Sequence, residues 1–328
     1  MFNKKDFECI VETIRKTNWD DITKVKNNNI IIEQFQGTAF DSDYQCYKVT
    51  KKEWIQQGES MLQGKTLFFQ LVVKITNVLE AKVLDRLNKS GFPVPKLYAK
   101  VSYGKQADNV IIFEEFVQGQ ELYGVGKEKA WITSAEVLAN VHLKYWDRNL
   151  QSIFDLSDIE TNKSISDFEN KICRAQMNTC HKFEWKKALN KIRERMGQCP
   201  KTLVHGDLFS TNILVSGEMI TFLDWANAGE FPYFMDIGRL TGMLNKDSGE
   251  VICPNQENVY QRYFEVVAEK LKIDYGMFIK DISMGQFIEL AATYLPPVGL
   301  NVHSLRTRSD YNIAVENRLN KLSEIILS

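Results

Sequence analysis

One short segment, residues 203–240, constrains this chain more than any other. It reads LVHGDLFSTNILVSGEMITFLDWANAGEFPYFMDIGRL, so the pattern H-G-D-x-x-x-x-N is followed by two apolar runs and then by Asp-Trp. The runs 212–215 and 219–223, which a Ser-Gly-Glu turn separates, predict a β-hairpin. Pairing of the two runs would bring Asn212 and Asp224 side by side at one end of the hairpin.

The polar residues of this segment fit the needs of phosphoryl transfer. That reaction needs a carboxylate that orients an acceptor hydroxyl and takes its proton, and Asp207 can supply it. It also needs hard oxygen ligands for Mg²⁺, and Asn212 and Asp224 can supply a neutral and an anionic oxygen. The pattern therefore predicts Asp207 as the catalytic residue and Asn212 and Asp224 as metal ligands. The alternative is structural, because an Asp in a loop is often a turn former or a helix cap.

The first third of the chain predicts a small β-rich lobe. Its β-branched and aromatic residues predict strands at 29–35, 44–50, 66–75, 96–102 and 109–117. The polar stretch 51–65 predicts the connection of an extended hairpin, and a helix is predicted from about 77 to 89, before Gly91 and Pro93. Apolar spacing between Phe7 and Ile14 predicts a further amphipathic helix at the N-terminus.

After residue 120 the pattern changes to that of a helical lobe. Helices are predicted at 130–146, 166–178, 182–196, 234–244, 256–272, 277–294 and 311–327, and a short strand is predicted at 202–205. The break at Gln118-Gly119-Gln120 is the candidate hinge. We therefore predict an N-terminal nucleotide-binding lobe at 1–117 and a C-terminal catalytic and substrate-binding lobe at 118–328.

The composition argues against several classes of protein. The net charge of −1 over 328 residues gives no field directed at nucleic acid or an anionic membrane. No apolar run approaches the roughly 18 residues of a membrane span, and the N-terminus lacks the apolar core of a signal peptide. The six cysteines are scattered and show no zinc-binding spacing, which indicates free thiols in a reducing compartment. We expect a cytoplasmic protein that binds neither nucleic acid nor a membrane.

Segment 203–240 resembles the aminoglycoside phosphotransferase and choline kinase-like family. The matching residues are His205-Gly206-Asp207, Asn212-Ile213-Leu214, Leu223-Asp224-Trp225 and Asp236-Ile237. The resemblance implies an α+β, bilobal protein kinase-like fold, with a small antiparallel-sheet N-lobe that carries one helix and a larger, mainly helical C-lobe. It also implies ATP and Mg²⁺ as cofactors and a hydroxyl group of a small molecule as the phosphate acceptor.

Two residues of the first lobe are candidates for phosphate binding. Lys74 lies on an otherwise apolar strand, and Glu80 shares the inward face of the next helix with two leucines. Because buried charges are usually paired, we expect the two side chains to form an ion pair. The resemblance implies that Lys74 binds the nucleotide phosphates and that Glu80 orients it.

The resemblance implies two further nucleotide contacts. It places a phosphate-covering turn at 36–43, where Ser42 and backbone amides could reach phosphate. It also places the adenine-binding hinge at 115–117, which makes Glu115 and Val117 candidate cofactor-binding residues.

The acceptor stays open at this point. Family members phosphorylate aminoglycosides, choline, homoserine, fructosamines and other small alcohols, and the acidic run 147–170 could meet the ammonium groups of an aminoglycoside. An aminoglycoside phosphotransferase acting in antibiotic resistance is the first hypothesis, and a kinase of another small metabolite is the second. A nucleotide-binding scaffold without turnover is a third, which the full set Asp207, Asn212 and Asp224 disfavours. A protein kinase is disfavoured because no A-P-E element follows Asp224. We expect a monomer or a weak homodimer.

Overall fold

The computed structural model describes residues 30–35, 46–56, 64–103, 109–245, 247–295 and 309–328. The chain forms two compact units, Met1–Gln118 and Gly119–Ser328. The helix predicted at the N-terminus and the turn 36–43, with Ser42, lie outside the described residues.

The first unit contains an antiparallel sheet of five strands. These are β1 (Ile30–Phe35), β2 (Cys46–Gln56), β3 (Gly64–Asn77), β4 (Leu97–Ser102) and β5 (Asn109–Glu115), in the order β1-β2-β3-β5-β4. Helix α1 (Val78–Lys89) follows β3, and the Asn77 side chain caps it by accepting a hydrogen bond from the Glu80 amide at 2.8 Å. Buried residues of the strands, among them Val49, Leu71 and Phe113, form the core of the sheet.

Strands β2 and β3 are longer than predicted. The sequence predicted a polar connection at 51–65, but β2 continues to Gln56 and β3 begins at Gly64, with Lys52 opposite Phe68 and Trp54 opposite Thr66. The prediction was wrong because ladder hydrogen bonds join backbones, and one face of an antiparallel sheet tolerates polar side chains.

The second unit is mainly helical. Its helices are α2 (Leu122–Val125), α3 (Glu128–Tyr145), α4 (Leu150–Ile153), α5 (Asp158–Thr179), α6 (Phe183–Gln198), α7 (Phe234–Gly242), α8 (Gln256–Leu271), α9 (Tyr275–Glu289) and α10 (Ser309–Leu327). A π-helical turn, Leu290–Tyr294, extends α9. None of the described helices is long and apolar enough to span a membrane.

Two small sheets complete the second unit. Strands β6 (Gln120–Glu121), β8 (Ile213–Ser216) and β9 (Met219–Phe222) form one, and β7 (Lys201–Val204) pairs with β10 (Gly229–Pro232) in the other. The β8–β9 pair is the hairpin that the sequence predicted, with Ile213 opposite Phe222. The short strands β6 and β10 were not predicted, because β6 has only two residues and the sequence of β10, Gly-Glu-Phe-Pro, contains a glycine and a proline, which indicate turns.

Helix α5 begins eight residues before its predicted start at 166. A capping box starts it: the Ser157 side chain accepts from the Glu160 amide, and the Glu160 side chain accepts from the Ser157 amide. The first turns of α5 are largely polar and exposed, so apolar periodicity could not mark them.

Helices α7 and α9 pack closely against each other at Gly238 and Gly285. A Cβ atom at Gly238 would lie 2.8 Å from the backbone of Gly285, so neither helix could keep this approach with a larger residue there. The contact fixes α7, which carries Asp236 and Arg239, against α9, which ends at Glu289.

Candidate active site

The loop after β7 carries His205, Gly206 and Asp207. Gly206 has a φ of +79°, and a Cβ atom there would lie 2.1 Å from the Asn227 carbonyl oxygen, so glycine is required. The His205 ring donates from Nε2 to the Leu223 carbonyl at 2.7 Å, and its Nδ1 accepts from the Asp207 amide at 3.3 Å. His205 therefore ties the loop to the end of the β8–β9 hairpin, and both ring nitrogens are used in doing so.

Asp236 braces the same loop from α7. Its carboxylate, in a residue that is 1% exposed, accepts from the backbone amides of His205 at 2.7 Å and Gly206 at 3.1 Å. The buried His142 lies 3.3 Å from the carboxylate, and its other ring nitrogen lies 2.6 Å from the Tyr263 hydroxyl. Burial alone would raise the pKa of Asp236, but the hydrogen bonds and charges of His142 and His205 bring it below its ordinary value.

Replacing Asp236 with asparagine should destabilise the protein by about 3 kcal/mol at neutral pH, because a buried charge with three partners is lost. The lowered pKa gives this loss a pH signature. The carboxylate stabilises the fold above the pKa of an unfolded aspartate, about 4, and that stability disappears as the pH falls through the lowered value. Urea unfolding of both proteins at pH 7 and in acid tests this, and the two should converge in acid.

Asp274→Asn is the matched control. Asp274 caps α9 by accepting from the Met277 amide at 2.8 Å, a role that asparagine fills equally well. If Asp236→Asn were as stable as this control at pH 7, the loop would not depend on Asp236.

The structure places Asn212 beside Asp207. Asn212 ends a 3₁₀ turn, Ser210–Asn212, and its Nδ2 donates to the Asp207 carbonyl at 2.8 Å and lies 3.4 Å from Asp207 Oδ2. The backbone carbonyl of Asn212 accepts from the Leu223 amide at 2.8 Å. Asp224, the next residue, follows β9 with a left-handed φ of +61°. The hairpin therefore brings the three predicted residues into one neighbourhood.

The donor set of Asn212 and Asp224 fits Mg²⁺. The Asn212 nitrogen is used as a donor to Asp207, so its amide oxygen is the atom left for a metal. An amide oxygen and a carboxylate are hard ligands, and Mg²⁺ usually takes only one or two carboxylates and completes its shell with water and phosphate. Among the described residues, no group of three or more His, Cys, Asp or Glu side chains could hold a metal, so a more enclosed metal site is not seen there.

Sequence reasoning missed Arg239. It lies one turn after Asp236 on α7 and is 7% exposed, and its guanidinium group is paired with the Asp207 carboxylate. Its Nη1 donates to the Gly206 carbonyl at 3.1 Å, and the guanidinium carbon lies 3.8 Å from the centre of the Phe209 ring. The available signal was the spacing in Asp-Ile-Gly-Arg, because residues three apart on a helix point the same way.

A cavity of about 800 Å³ adjoins Asp207 in the second unit. Its wall includes Asp167, Phe168, Lys171 and Arg174 of α5, Phe231 of β10, Arg239 of α7 and Glu289 of α9. Lys171 and Glu289 are paired with each other. Asp167 and Arg174 form no ion pair with another described residue. One negative and one positive charge on the described wall are therefore available to a ligand.

The acidic run 147–170 lies mostly away from this cavity. Asp158 accepts a hydrogen bond from a glutamine side chain at 2.7 Å, and Glu160 belongs to the capping box of α5. Asp155 has a left-handed φ of 52° and is exposed. Within the described wall of the cavity, Asp167 is the one acidic member of the run.

In the first unit the structure brings Lys74 and Glu80 together. Lys74 Nζ lies 2.7 Å from Glu80 Oε1 and 3.7 Å from Glu114 Oε1, and the Thr76 hydroxyl donates to Glu80 Oε2 at 2.5 Å. Lys74 is 6% exposed and Glu80 is fully buried. Glu114 was not singled out from the sequence, because only the register of β3 with β5 shows that it faces Lys74. Thr76 was missed although it lies two residues after Lys74 on the same strand, where alternation places both side chains on one face.

The hinge candidates differ in what they can offer a nucleotide. The Glu115 amide already donates to the Lys96 carbonyl at 2.9 Å, and the Glu115 side chain accepts from the Lys96 amide at 3.2 Å. Val117 lies beyond the strand, is half-buried and makes no hydrogen bond with a described residue. Val117 is therefore the better candidate for the edge of an adenine ring.

The model of the phosphotransferase enzyme family, APH, matches residues 76–269, which is more than half of the chain. The chain belongs to this family. Membership confirms the resemblance that residues 203–240 carried, and it makes the chain a phosphotransferase of the small-molecule kinase type. A comparison with curated proteins found no match.

Solved structures support the fold assignment. A candidate aminoglycoside phosphotransferase from Ralstonia eutropha is similar at 15% identity and a TM-score of 0.56, over 99% of this chain and 97% of that one. Plasmodium vivax ethanolamine kinase has 15% identity and a TM-score of 0.55, over 98% and 89%. Choline kinase from Cryptosporidium parvum has 13% identity and a TM-score of 0.51, over 98% and 95%. The predicted α+β, protein kinase-like fold is confirmed.

Proposed function

We propose that this phosphotransferase moves the γ-phosphoryl group of ATP, with Mg²⁺, to a hydroxyl group of a small molecule. The observation that carries the proposal is the 2.8 Å hydrogen bond from Asn212 Nδ2 to the Asp207 carbonyl. It supports the use of both residues at one reaction centre, because it sets the Asp207 carboxylate beside an amide whose oxygen is left for a metal.

Asp207 acts on the acceptor. Its side chain is 26% exposed and lines the cavity in which an acceptor could bind. The carboxylate accepts the hydrogen bond of the hydroxyl, orients its oxygen toward phosphorus and takes the proton as the new P–O bond forms. The bond between phosphorus and the bridging oxygen of ATP breaks, and ADP leaves with that oxygen.

Asn212 and Asp224 would hold Mg²⁺ in this proposal, and the ion would supply positive charge against the phosphates. The hydrogen bond from Asn212 Nδ2 to the Asp207 carbonyl leaves the amide oxygen of Asn212 available as a ligand. Asp224 presents its carboxylate from a left-handed backbone, a conformation that Asp and Asn adopt more readily than most residues.

Lys74 and Val117 serve the nucleotide. Lys74 is fixed by Glu80 and Glu114, and a cation held in this way can bind phosphate without losing further side-chain freedom. The Val117 backbone would take the adenine edge. Glu80 acts by orienting Lys74 and need not contact the nucleotide.

The charges of the cavity favour an acceptor of low net charge. An aminoglycoside carries several ammonium groups and needs several available carboxylates. On the described wall, Asp207 and Glu289 are already paired with cations, whereas Asp167 and Arg174 are left as one charge of each sign. This pattern supports a small neutral or zwitterionic alcohol, the metabolite kinase of the alternatives, over a polycation.

Replacing Asp155, Asp158 and Glu160 together by their amides should leave the KM for both substrates within about twofold of the wild-type value. Their partly exposed charges are each worth about 0–1 kcal/mol and none lines the described cavity wall. Steady-state kinetics with an accepted alcohol measure this, and Asp167→Asn is the matched change inside the cavity. A large rise in acceptor KM in the triple variant, and not in Asp167→Asn, would mean that the acidic run binds the acceptor.

The proposal as a whole is tested by acceptor-dependent release of ADP. A thermal-shift screen of amino alcohols, hydroxy amino acids, sugars and aminoglycosides, with a non-hydrolysable ATP analogue, first selects ligands. Selected compounds are then assayed with ATP and Mg²⁺. ADP release that depends on both acceptor and metal is expected, and release that no compound of the panel raises above background would contradict the proposal.

A further inference from the structure

The Asp207 carboxylate is held from one side by a fixed guanidinium group. Arg239 pairs with Asp207 Oδ1, donates to the Gly206 carbonyl at 3.1 Å and covers the Phe209 ring at 3.8 Å. The side chain is 8% exposed, so solvent scarcely competes for these contacts. Asp207 Oδ2 is the oxygen left on the other side, 3.4 Å from Asn212 Nδ2.

The guanidinium group is itself held by a second ion pair. Glu289 Oε2 lies 3.0 Å from Arg239 Nη1, and Lys171 is paired with the other Glu289 oxygen. Glu289 is 4% exposed, and the Lys171 side chain is 13% exposed. Burial, and then the charge of Arg239, lower the pKa of Lys171, which Glu289 opposes. The result is a row of alternating charges, Asp207–Arg239–Glu289–Lys171, built from the catalytic loop, α7, α9 and α5.

Packing alone gives no reason for this row. Four charges placed in the wall of a cavity lose much of their hydration, and apolar residues of similar volume usually stabilise a fold as well or better. The row also ends on the Asp207 carboxylate, to which we assign the proton transfer. The arrangement of the four charges is therefore explained better by an effect on Asp207 than by packing.

We infer that Arg239 is the positioning residue of Asp207, and that Glu289 and Lys171 set the orientation of its guanidinium group. The inference rests on the proposed role of Asp207. By binding Oδ1, Arg239 restricts rotation of the carboxylate and leaves Oδ2 for the acceptor hydroxyl. Orientation of a reacting group acts mainly on the chemical step, so the effect falls on kcat and not on the binding of either substrate.

Arg239→Ala should lower kcat about 100-fold, the effect expected of a misplaced reacting group, while both KM values change less than about threefold. The variant leaves a space between the Phe209 ring and the carboxylates of Asp207 and Glu289, open to the cavity. Guanidinium ion at millimolar concentration should fill it and restore kcat at least tenfold in a saturable way. Urea, which has a similar shape and no charge, should not restore it.

Arg195→Ala is the matched control. Arg195 forms a comparable, partly buried pair with Asp281, at 2.8 Å and 2.7 Å, outside the described wall of the cavity. Its loss should lower stability without lowering kcat, and guanidinium should not change its turnover. A purely structural role of Arg239 would give the same pattern as this control, and that result would overturn the inference.

Glu289→Gln keeps the test decisive if Arg239→Ala does not fold. The amide retains the volume and loses the charge that orients Arg239, so kcat should fall about three- to tenfold with both KM values unchanged. An unchanged kcat in a folded Glu289→Gln protein would overturn the inference.

The Asp207→Asn variant separates the two proposals. If this variant keeps near wild-type turnover, the proposed function fails. If it is inactive while Arg239→Ala and Glu289→Gln are fully active, only the inference about Arg239 fails.

Discussion

Replacing Asp207 with asparagine is expected to lower kcat by a factor of about 10² or more while the fold and nucleotide affinity stay close to wild type. Asparagine has nearly the same shape but cannot take a proton from the acceptor hydroxyl. The fold should survive because Arg239 keeps its contacts with Gly206 and Glu289. Rapid-quench and steady-state assays of phosphate transfer measure the loss.

The control for this variant is again Asp274→Asn, the cap of α9. It makes the same chemical change in the same unit and should leave kcat unchanged. Calorimetry with a non-hydrolysable ATP analogue confirms that the site still forms. If Asp207→Asn transferred phosphate at a rate near wild type, another base would have to be found, or the chain would be a scaffold with incidental turnover.

Replacing Asp224 with asparagine should weaken the binding of Mg²⁺–ATP by about 10- to 100-fold, because a charged metal ligand becomes a neutral one. Binding of adenosine, which has no phosphates to share the metal, should change by less than about twofold. Asparagine is preferred to alanine here because it tolerates the left-handed φ of +61° at this position.

Titration calorimetry with both ligands, each with and without Mg²⁺, tests this prediction. Asp147→Asn is the matched control, because Asp147 is also an aspartate with a left-handed φ, of 49°, and it accepts from the amide of Lys201, at the end of β7 that does not lead into the catalytic loop. An equal loss of affinity for Mg²⁺–ATP and adenosine in Asp224→Asn would mean that Asp224 supports the fold and does not bind the metal.

The closeness of Asn212 and Asp224 could be predicted because it is local. The two residues flank the β8–β9 hairpin, with Asp207 five residues before Asn212, and a two-stranded hairpin leaves few ways to arrange its ends. The ion pair of Lys74 and Glu80 could be predicted for a similar reason. The two residues are six positions apart in the sequence, one on a strand and the other on the helix that follows it. Short separation in sequence made both predictions possible.

The row of charges behind Asp207 could not be predicted because it is assembled by tertiary packing. Lys171, Arg239 and Glu289 lie on three helices, and only the close contact of α7 with α9 brings Arg239 to Glu289. Each of these residues, read alone, is an ordinary charge on an amphipathic helix. The acidic run 147–170 shows the converse case, because its charges are close in sequence but separate in the structure: Asp167 lines the cavity, whereas Glu160 belongs to the capping box of α5.

The most direct measurement of the central claim is the identity of the phosphorylated product. Wild-type protein, ATP, Mg²⁺ and an acceptor selected by thermal shift are incubated together, and the mixture is followed by ³¹P NMR. We predict a new phosphate monoester signal that grows with ADP, couples to the carbon-bound protons next to the acceptor oxygen and is absent with Asp207→Asn. ADP that accumulates only with inorganic phosphate, for every acceptor of the screen, would contradict the claim that this chain phosphorylates a small-molecule hydroxyl group.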